Sequence, residues 1–160
     1  AERYSLTIEH LKGLFPEADT ELNYENPFQL LVAVILSAQC TDKRVNLVTP
    51  ELFKRFPSAK EMAISSEEEI LHYIKSISYP NAKSKNLLKM AQRLQEVYKG
   101  EVPSTREELT SLAGVGRKTA NVIGAVLFKQ AVMPVDTHVH RVSRRIGLTN
   151  KAKTPLETEN

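Results

Sequence analysis

The chain has 160 residues, 41% of them hydrophobic, which is enough to bury the core of one domain or of two small ones. This composition excludes collagen-like, low-complexity and disordered proteins, and no apolar run reaches the roughly 18 residues that a membrane-spanning helix needs. The N-terminus lacks a secretory-signal pattern, and the single cysteine, Cys40, can form neither an internal disulfide nor a multi-thiolate metal site. We therefore expect a soluble, intracellular protein.

The net charge of +3 hides an asymmetry between the two halves of the chain. Residues 1–80 hold 8 Lys and Arg against 12 Asp and Glu, a balance of −4, whereas residues 81–160 hold 14 against 7, a balance of +7. The positive half favours a polyanionic partner, but an ordinary solvated surface explains the charge equally well. The motifs must therefore decide.

Apolar residues recur at helical spacing along the chain, and no segment shows sustained two-residue alternation. A first apolar-periodic segment lies over residues 6–15. The run from Phe28 to Ile35 is apolar nearly all round, which predicts a buried central helix with Asn26 as N-cap and Pro27 at its first position. The sequence thus predicts an all-α fold.

Further helix boundaries are readable from capping residues. Three Ser-x-x-Glu capping boxes indicate helix starts: Ser58 with Glu61, Ser65 with Glu68 and Ser104 with Glu107. The apolar stripe of residues 87–98, which includes Val97, predicts a long amphipathic helix that Gly100 ends. At Thr154 a helix start is followed by barely one turn, and from this we expect the chain to be a fragment of a longer protein.

The segment 104–128 predicts two helices joined by a tight turn. The first helix should end near residues 112–113, and the second should cover residues 117–128. Gly114 and Gly116 can both adopt positive φ and let a ligand approach the backbone, next to the free amides of the second helix. The pattern indicates a phosphate-binding turn, although an αα-hairpin in which glycine is only a C-cap remains the alternative.

Several motifs in one order resemble the helix-hairpin-helix DNA glycosylases, and within that superfamily the bacterial endonuclease III family. The motifs are LAGVGRKTA at 112–120, PVDTHVHRV at 134–142, LSAQCTD at 36–42, and YIKSI at 73–77 leading into residues 81–83. The resemblance implies an all-α HhH-GPD fold: a six-helix barrel lobe over residues 20–130, containing the helix-hairpin-helix at 104–128. Residues 1–19 with 131–160 would form an incomplete second lobe.

The resemblance also implies a catalytic pair. Lys118 corresponds to the lysine that attacks C1′ of the damaged nucleotide, expels the base and forms a Schiff base, after which β-elimination nicks the strand. Asp136 corresponds to the carboxylate that helps to activate this lysine and stabilises the charge that develops on the sugar. On residue chemistry alone, Lys118 could be a solvated charge and Asp136 a helix N-cap.

Other residues match positions of the superfamily that contact DNA. Gln39 corresponds to the side chain that fills the gap left by the flipped base, and Tyr79 stands where the superfamily has an apolar wedge. The hairpin and the segment beyond it supply the remaining predicted DNA contacts, Gly114, Val115, Gly116, Arg117, Thr119, His138 and Arg141. Weaker candidates for phosphate contacts, each of which taken alone fits a solvated charge better, are Lys83, Lys85, Lys89, Arg144, Arg145, Lys151 and Lys153.

The implied function is a bifunctional DNA glycosylase and abasic-site lyase that repairs duplex DNA containing oxidised pyrimidines or abasic sites, in the bacterial cytoplasm at the nucleoid. The alternative is a truncated, non-catalytic helix-hairpin-helix fragment that only binds DNA.

The 4Fe–4S cluster of the endonuclease III family is expected only in a full-length protein with the missing C-terminal cysteines, so no cofactor is expected in this chain. No membrane partner is expected, whereas uncovered apolar surface predicts self-association.

Overall fold

The computed structural model describes residues 20–129, 141–142, 144–145 and 153–156. Seven helices lie within residues 20–129, and no strand occurs in the described part of the chain, so the predicted all-α class is confirmed. In chain order the helices are α1 (Pro27–Ser37), α2 (Asp42–Arg55), α3 (Ala59–Ala63), α4 (Glu67–Ile74), α5 (Pro80–Tyr98), α6 (Arg106–Thr110) and α7 (Arg117–Phe128). The helix expected over residues 6–15 lies outside the described residues, and of the segment that follows the candidate N-cap Asp136 the structure describes residues 141–142 and 144–145, all of them helical.

The chain divides into two compact units, Glu21–Ala131 and a second unit made of Ala1–Thr20 with Val132–Asn160. All seven helices belong to the first unit. Of the second unit, the structure describes only short stretches, among them Pro155 and Leu156, which are helical directly after Thr154. Among the described helices, none is both long enough and apolar enough to cross a bilayer.

Helix α1 forms the centre of the larger unit. Every residue from Phe28 to Leu36 is buried, and α1 packs against α2, α5 and α7. Asn26 caps it, since its side-chain oxygen accepts a hydrogen bond from the Gln29 N–H at 2.9 Å, and Pro27 occupies the first turn. The predicted central helix and both of its start signals are confirmed.

Two of the three predicted capping boxes are shifted by one residue. Ser58 and Glu61 pair as predicted, because the Glu61 carboxylate accepts from the Ser58 N–H at 3.0 Å. Helix α4, however, is capped by Ser66, whose hydroxyl accepts from the Glu69 N–H at 3.2 Å, and α6 is capped by Thr105 in the same way through Glu108. The Ser65 and Ser104 predictions are wrong because each has a neighbour with the same spacing to a glutamate.

Helix α5 carries the predicted amphipathic stripe. Leu87, Met90, Ala91 and Leu94 are buried against α3 and α4, whereas Val97 is 52% exposed and does not belong to the buried face. The helix ends as Lys99 takes a left-handed conformation, and the Gly100 N–H then bonds to the Leu94 carbonyl at 2.8 Å.

Candidate functional site

The predicted helix-turn-helix is present as α6, a turn over residues 111–116 and α7. Helix α6 has five residues and is shorter than the predicted segment 104–112. Leu109, Leu112 and Val115 are buried and attach the turn to the core, and the Val115 N–H bonds back to the Leu112 carbonyl at 3.2 Å. The hairpin is therefore held by the core and is not an independent loop.

The two hairpin glycines have different conformations and different surroundings. Gly114 has φ +80°, and a Cβ added there would lie 3.2 Å from Asn86 Cβ and 3.3 Å from Ile35 Cγ2. Gly116 has φ −87° and ψ −179°, and a Cβ added there would meet nothing within 4 Å. Of the two glycines that can adopt positive φ, only Gly114 does so, because Gly116 is the N-cap of α7 and has the extended backbone typical of an N-cap.

The start of α7 places two cations in solvent beside a helix N-terminus. Gly116 has no side chain to cap this 12-residue helix, and a Cβ added there would meet nothing within 4 Å. Arg117 and Lys118 follow in the first turn with exposed side chains, and Thr119 is half-buried. The positive end of a helix dipole with adjacent cations favours the binding of phosphate.

The other predicted hairpin contacts differ in what they can do. Val115 is buried, so of its atoms only the backbone can meet DNA, whereas Gly114 and Gly116 are exposed. Arg141 is exposed in a helical stretch of the second unit. Asp136 and His138 lie outside the described residues, and the pairing of Lys118 with Asp136 therefore stays a prediction.

Gln39 and Tyr79, the two side chains predicted to enter DNA, both lie in turns next to helix ends. Both have left-handed backbone, with φ 53° and 54°, and both side chains are exposed, Tyr79 by 66%. Gln39 lies between α1 and α2, and Tyr79 is the N-cap residue of α5. Left-handed backbone in a non-glycine residue is strained and is concentrated at functional sites.

A surface depression of about 530 Å³ lies beside Gln39. It is lined by Gln39, Cys40, Thr41, Arg44, Ser76 and Ser78. Arg44 is exposed in the first turn of α2, and the sequence analysis missed it. Its position five residues after Gln39, just inside a helix start, was the available signal. The depression is thus formed by the segments on which Gln39 and Tyr79 lie.

The prediction of Lys83 as a phosphate contact is wrong. Only 7% of Lys83 is exposed, and its Nζ donates hydrogen bonds to the carbonyls of Leu36 at 2.8 Å and Ala38 at 2.6 Å. Burial lowers the pKa of this ammonium group, and the nearby Cys40 partly opposes the shift. Other cations that were weighed as phosphate contacts, Lys85, Lys89, Arg144, Arg145 and Lys153, are exposed, and Lys151 lies outside the described residues.

A hairpin turn anchored in the core and followed by a helix whose first turn carries exposed cations is the architecture of helix-hairpin-helix proteins that bind DNA through phosphate. The chain belongs to the HhH-GPD superfamily of base excision DNA repair proteins, whose family model matches residues 32–160. Within that superfamily it is similar to endonuclease III. It is 50% identical over 150 residues to endonuclease III of Synechocystis sp., covering 93% of this chain and 68% of that protein.

Two further comparisons agree in sequence and in fold. Endonuclease III of Bacillus subtilis is 45% identical over 152 residues, covering 95% of this chain and 69% of that protein. The solved structure of a trapped endonuclease III–DNA covalent intermediate superposes with a TM-score of 0.92 at 42% identity, covering 99% of this chain and 74% of that one. The predicted family and the HhH-GPD fold are confirmed.

The iron–sulfur cluster implied by the endonuclease III family does not fit the residues of this sequence. A 4Fe–4S cluster is held by four cysteine thiolates, and the 160 residues contain one cysteine, Cys40, which is half-buried beside Gln39. Within the described residues, no three His, Cys, Asp or Glu side chains converge as a metal site. No step proposed below involves a cluster.

Proposed function

We propose that this chain is a bifunctional DNA glycosylase and abasic-site lyase that acts on oxidised pyrimidines in duplex DNA. The observation that carries the proposal is the exposed Lys118 in the first turn of α7, directly after a hairpin whose Gly116 leaves the helix N-terminus open. A DNA phosphate bound at these amides brings the sugar of a neighbouring nucleotide towards the lysine. The structure of a trapped endonuclease III–DNA covalent intermediate, at 42% identity, supports a covalent route.

The proposed reaction has a covalent and an elimination stage. Lys118 gives up a proton and its amine attacks C1′, the bond from C1′ to the base breaks, and the departing base takes up a proton. One proton of the nitrogen then passes to the ring oxygen O4′ as the bond between C1′ and O4′ breaks, giving a protonated imine. Loss of a proton from C2′ breaks the bond from C3′ to oxygen, so that the 3′ phosphate leaves, and water finally releases the lysine. Asp136 stabilises the positive charge on the sugar while the base departs.

Access to C1′ requires the damaged nucleotide to leave the base stack. Gln39 and Tyr79 are exposed on turns with fixed, unusual backbone, and each suits one task in this step. The Gln39 amide can hydrogen-bond the partner base that is left without a mate, while the Tyr79 ring can stack against a neighbouring base. Arg44, which lines the same depression as Gln39, can contact phosphate nearby.

The experiment that tests the proposal is borohydride trapping on duplexes that contain thymine glycol or an abasic site. A covalent adduct is expected with the wild-type chain and none with Lys118→Ala. Lys129→Ala is the matched control, because Lys129 is an exposed lysine at the other end of α7. DNA binding by the wild type without any adduct would instead favour the non-catalytic DNA-binding module.

The substrate class follows from the resemblance and is tested separately. We expect release of thymine glycol from duplex DNA at least tenfold faster than release of 8-oxoguanine at equal enzyme concentration. Equal rates on both lesions, or faster release of the purine, would contradict the assignment to oxidised pyrimidines.

Self-association and cellular location are the remaining parts of the proposal. The apolar surfaces expected to self-associate belong to residues 6–15, which lie outside the described residues, and to the segment from Thr137, of which Val142 is described and is 49% exposed. Sedimentation velocity across a concentration series should give a rising sedimentation coefficient, and a constant monomer value would contradict it.

Because the protein would act on chromosomal DNA, a fluorescent fusion in a bacterial cell should co-localise with the nucleoid.

A further inference from the structure

Lys83 lies at a junction between the two turns that carry Gln39 and Tyr79. Its backbone N–H donates to the Tyr79 carbonyl at 3.1 Å, within the first turn of α5. Its Nζ donates to the carbonyl of Ala38, the residue before Gln39, at 2.6 Å and to that of Leu36 at 2.8 Å. One residue therefore bonds the backbone at or next to both candidate DNA-inserting side chains.

Lys83 donates hydrogen bonds to backbone carbonyls at the C-terminal end of α1. The last carbonyls of a helix lack partners within the helix, and α1 has no basic residue in its own last turn. The chain leaves the helix through Ala38 with ψ 117° and then turns left-handed at Gln39. Lys83, which comes from a different helix, satisfies two carbonyls of this exit, so the direction of the Gln39 turn depends on α5.

Burial of the Lys83 ammonium group costs hydration free energy, so the hydrogen bonds that it makes to α1 must compensate for that cost. A lysine that only covered apolar surface would keep its charged end in water. Lys83 instead loses its hydration and gains charge-assisted hydrogen bonds to fixed carbonyls. Lys85 and Lys89 lie on the same helix and are exposed. The burial of Lys83 is therefore specific to its position and is not a general property of the lysines on α5.

We propose that Lys83 is a positioning residue that holds the Gln39 turn against the start of α5, so that Gln39 and Tyr79 enter the DNA at a fixed separation. The inference rests on the proposed function. It requires that loss of the Lys83 ammonium impairs the opening of duplex DNA more than it impairs the covalent chemistry at Lys118. A purely structural role in the core would impair both equally.

The test compares two substrates of the Lys83→Met variant. Methionine has a similar length and suits a buried position but cannot bond the carbonyls. We expect kcat/KM on an abasic site in a duplex to fall about tenfold or more, equivalent to a loss of about 1.4 kcal/mol of transition-state stabilisation. On a single-stranded abasic oligonucleotide, which has no partner base to separate, the change should stay below about twofold. The exposed-lysine control, Lys60→Met, should match the wild type on both substrates.

A spectroscopic measurement reports the insertion step directly. With 2-aminopurine opposite the abasic site, binding of the wild type should raise the fluorescence as the probe loses its stacking. The Lys83→Met variant should give less than half of that rise at saturating protein. An equal loss of activity on both substrates together with a full fluorescence rise would overturn the proposal.

A second variant covers failure of Lys83→Met to fold, which circular dichroism would reveal. Lys83→Arg keeps donors for both carbonyls but has a longer, planar end group, so it should shift the Gln39 turn without leaving the carbonyls unpaired. We expect a smaller loss, about threefold, that is again confined to the duplex substrate. Equal losses on both substrates would overturn the proposal. If the proposed function itself is wrong, the wild-type chain forms no adduct on either substrate, which separates the two failures.

Discussion

Gln39 and Tyr79 both have positive φ, 53° and 54°, in two separate turns, and both side chains are exposed. The other non-glycine residues with positive φ in the described part of the chain are Lys99 and Lys129, and both end helices, where this conformation is common. Gln39 lies in a turn just beyond the end of α1, where the Cys40 N–H bonds to the Ser37 carbonyl at 3.0 Å, whereas Tyr79 precedes α5 and does not have that explanation. The strain in these two turns therefore coincides with the two side chains proposed to enter DNA.

Relief of this strain should stabilise the protein and reduce its activity. Asparagine adopts left-handed backbone more readily than tyrosine, and Tyr79 is mostly exposed, so Tyr79→Asn loses little packing. We expect the free energy of unfolding to rise by about 0.5–1 kcal/mol, measured by urea denaturation. Activity on damaged duplex should fall, because the aromatic stacking is lost.

Lys99→Asn is the matched control, since Lys99 is exposed and has φ 54° at the end of α5. It should stabilise the chain by a similar amount and leave the duplex activity unchanged. A Tyr79→Asn variant that is less stable than the wild type, or that keeps full activity on damaged duplex, would contradict the proposed link between backbone strain and function at Tyr79.

The hairpin glycines should respond differently to the same substitution. Gly114→Ser forces a side chain onto a backbone with φ +80° and against Asn86 and Ile35, so it should destabilise the chain by about 1–3 kcal/mol. Gly116→Ser adds a good N-cap residue in open space, so the stability should stay within about 0.5 kcal/mol of the wild type. DNA affinity should nevertheless fall at least fivefold with Gly116→Ser, because the new side chain occupies the proposed phosphate position.

Urea denaturation and a fluorescence-anisotropy titration with duplex DNA check the two glycine variants. Unchanged affinity of Gly116→Ser would mean that phosphate does not bind at the start of α7. The hairpin would then be the αα-hairpin in which glycine is only a cap.

The capping box of α3 should make stability depend on pH. The Ser58 hydroxyl and backbone N–H groups donate hydrogen bonds that lower the pKa of Glu61 from its ordinary value of 4.5. Because the folded pKa is depressed, the stabilisation is present above the unfolded value and is lost as pH falls through the folded pKa. The difference in unfolding free energy between wild type and Glu61→Gln should therefore shrink with acidification below about pH 4.5.

A Ser58→Ala background is the control for the Glu61 experiment, because it removes the largest cause of the pKa shift. In that background the pH dependence of the Glu61→Gln difference should weaken. A difference that does not vary with pH in either background would contradict the assigned cause.

The cysteine content predicts a colourless protein without a 4Fe–4S cluster. One thiol, Cys40, cannot supply the four thiolates that such a cluster needs. Iron and acid-labile sulfide should be absent after purification under anaerobic conditions, and treatment with a chelator should not change trapping at Lys118. Four iron atoms per chain would contradict the prediction.

The sequence predicts the structure correctly where a local pattern is compatible with only one arrangement. The apolar run from Phe28 to Ile35 and the Asn26 cap fixed α1, and the spacing around Gly114 located the hairpin. The prediction fails where two neighbouring residues have the same spacing to a glutamate, as Ser65 and Ser66 do, because the pattern does not decide which of them caps the helix. It also failed where long-range contacts decided the outcome. Lys83 looks like any exposed helix lysine until α1 brings two free carbonyls to it, and no local pattern encodes that contact.

Gly114 lies directly on Ile35 of α1 and on Asn86 of α5. The turn proposed to meet the phosphate is consequently packed against the core in the absence of nucleic acid. The entropy of arranging its amides is then not subtracted from the affinity at each encounter. A protein that samples many undamaged sites for every lesion benefits from such a rigid grip, since it can release and rebind without rebuilding the contact.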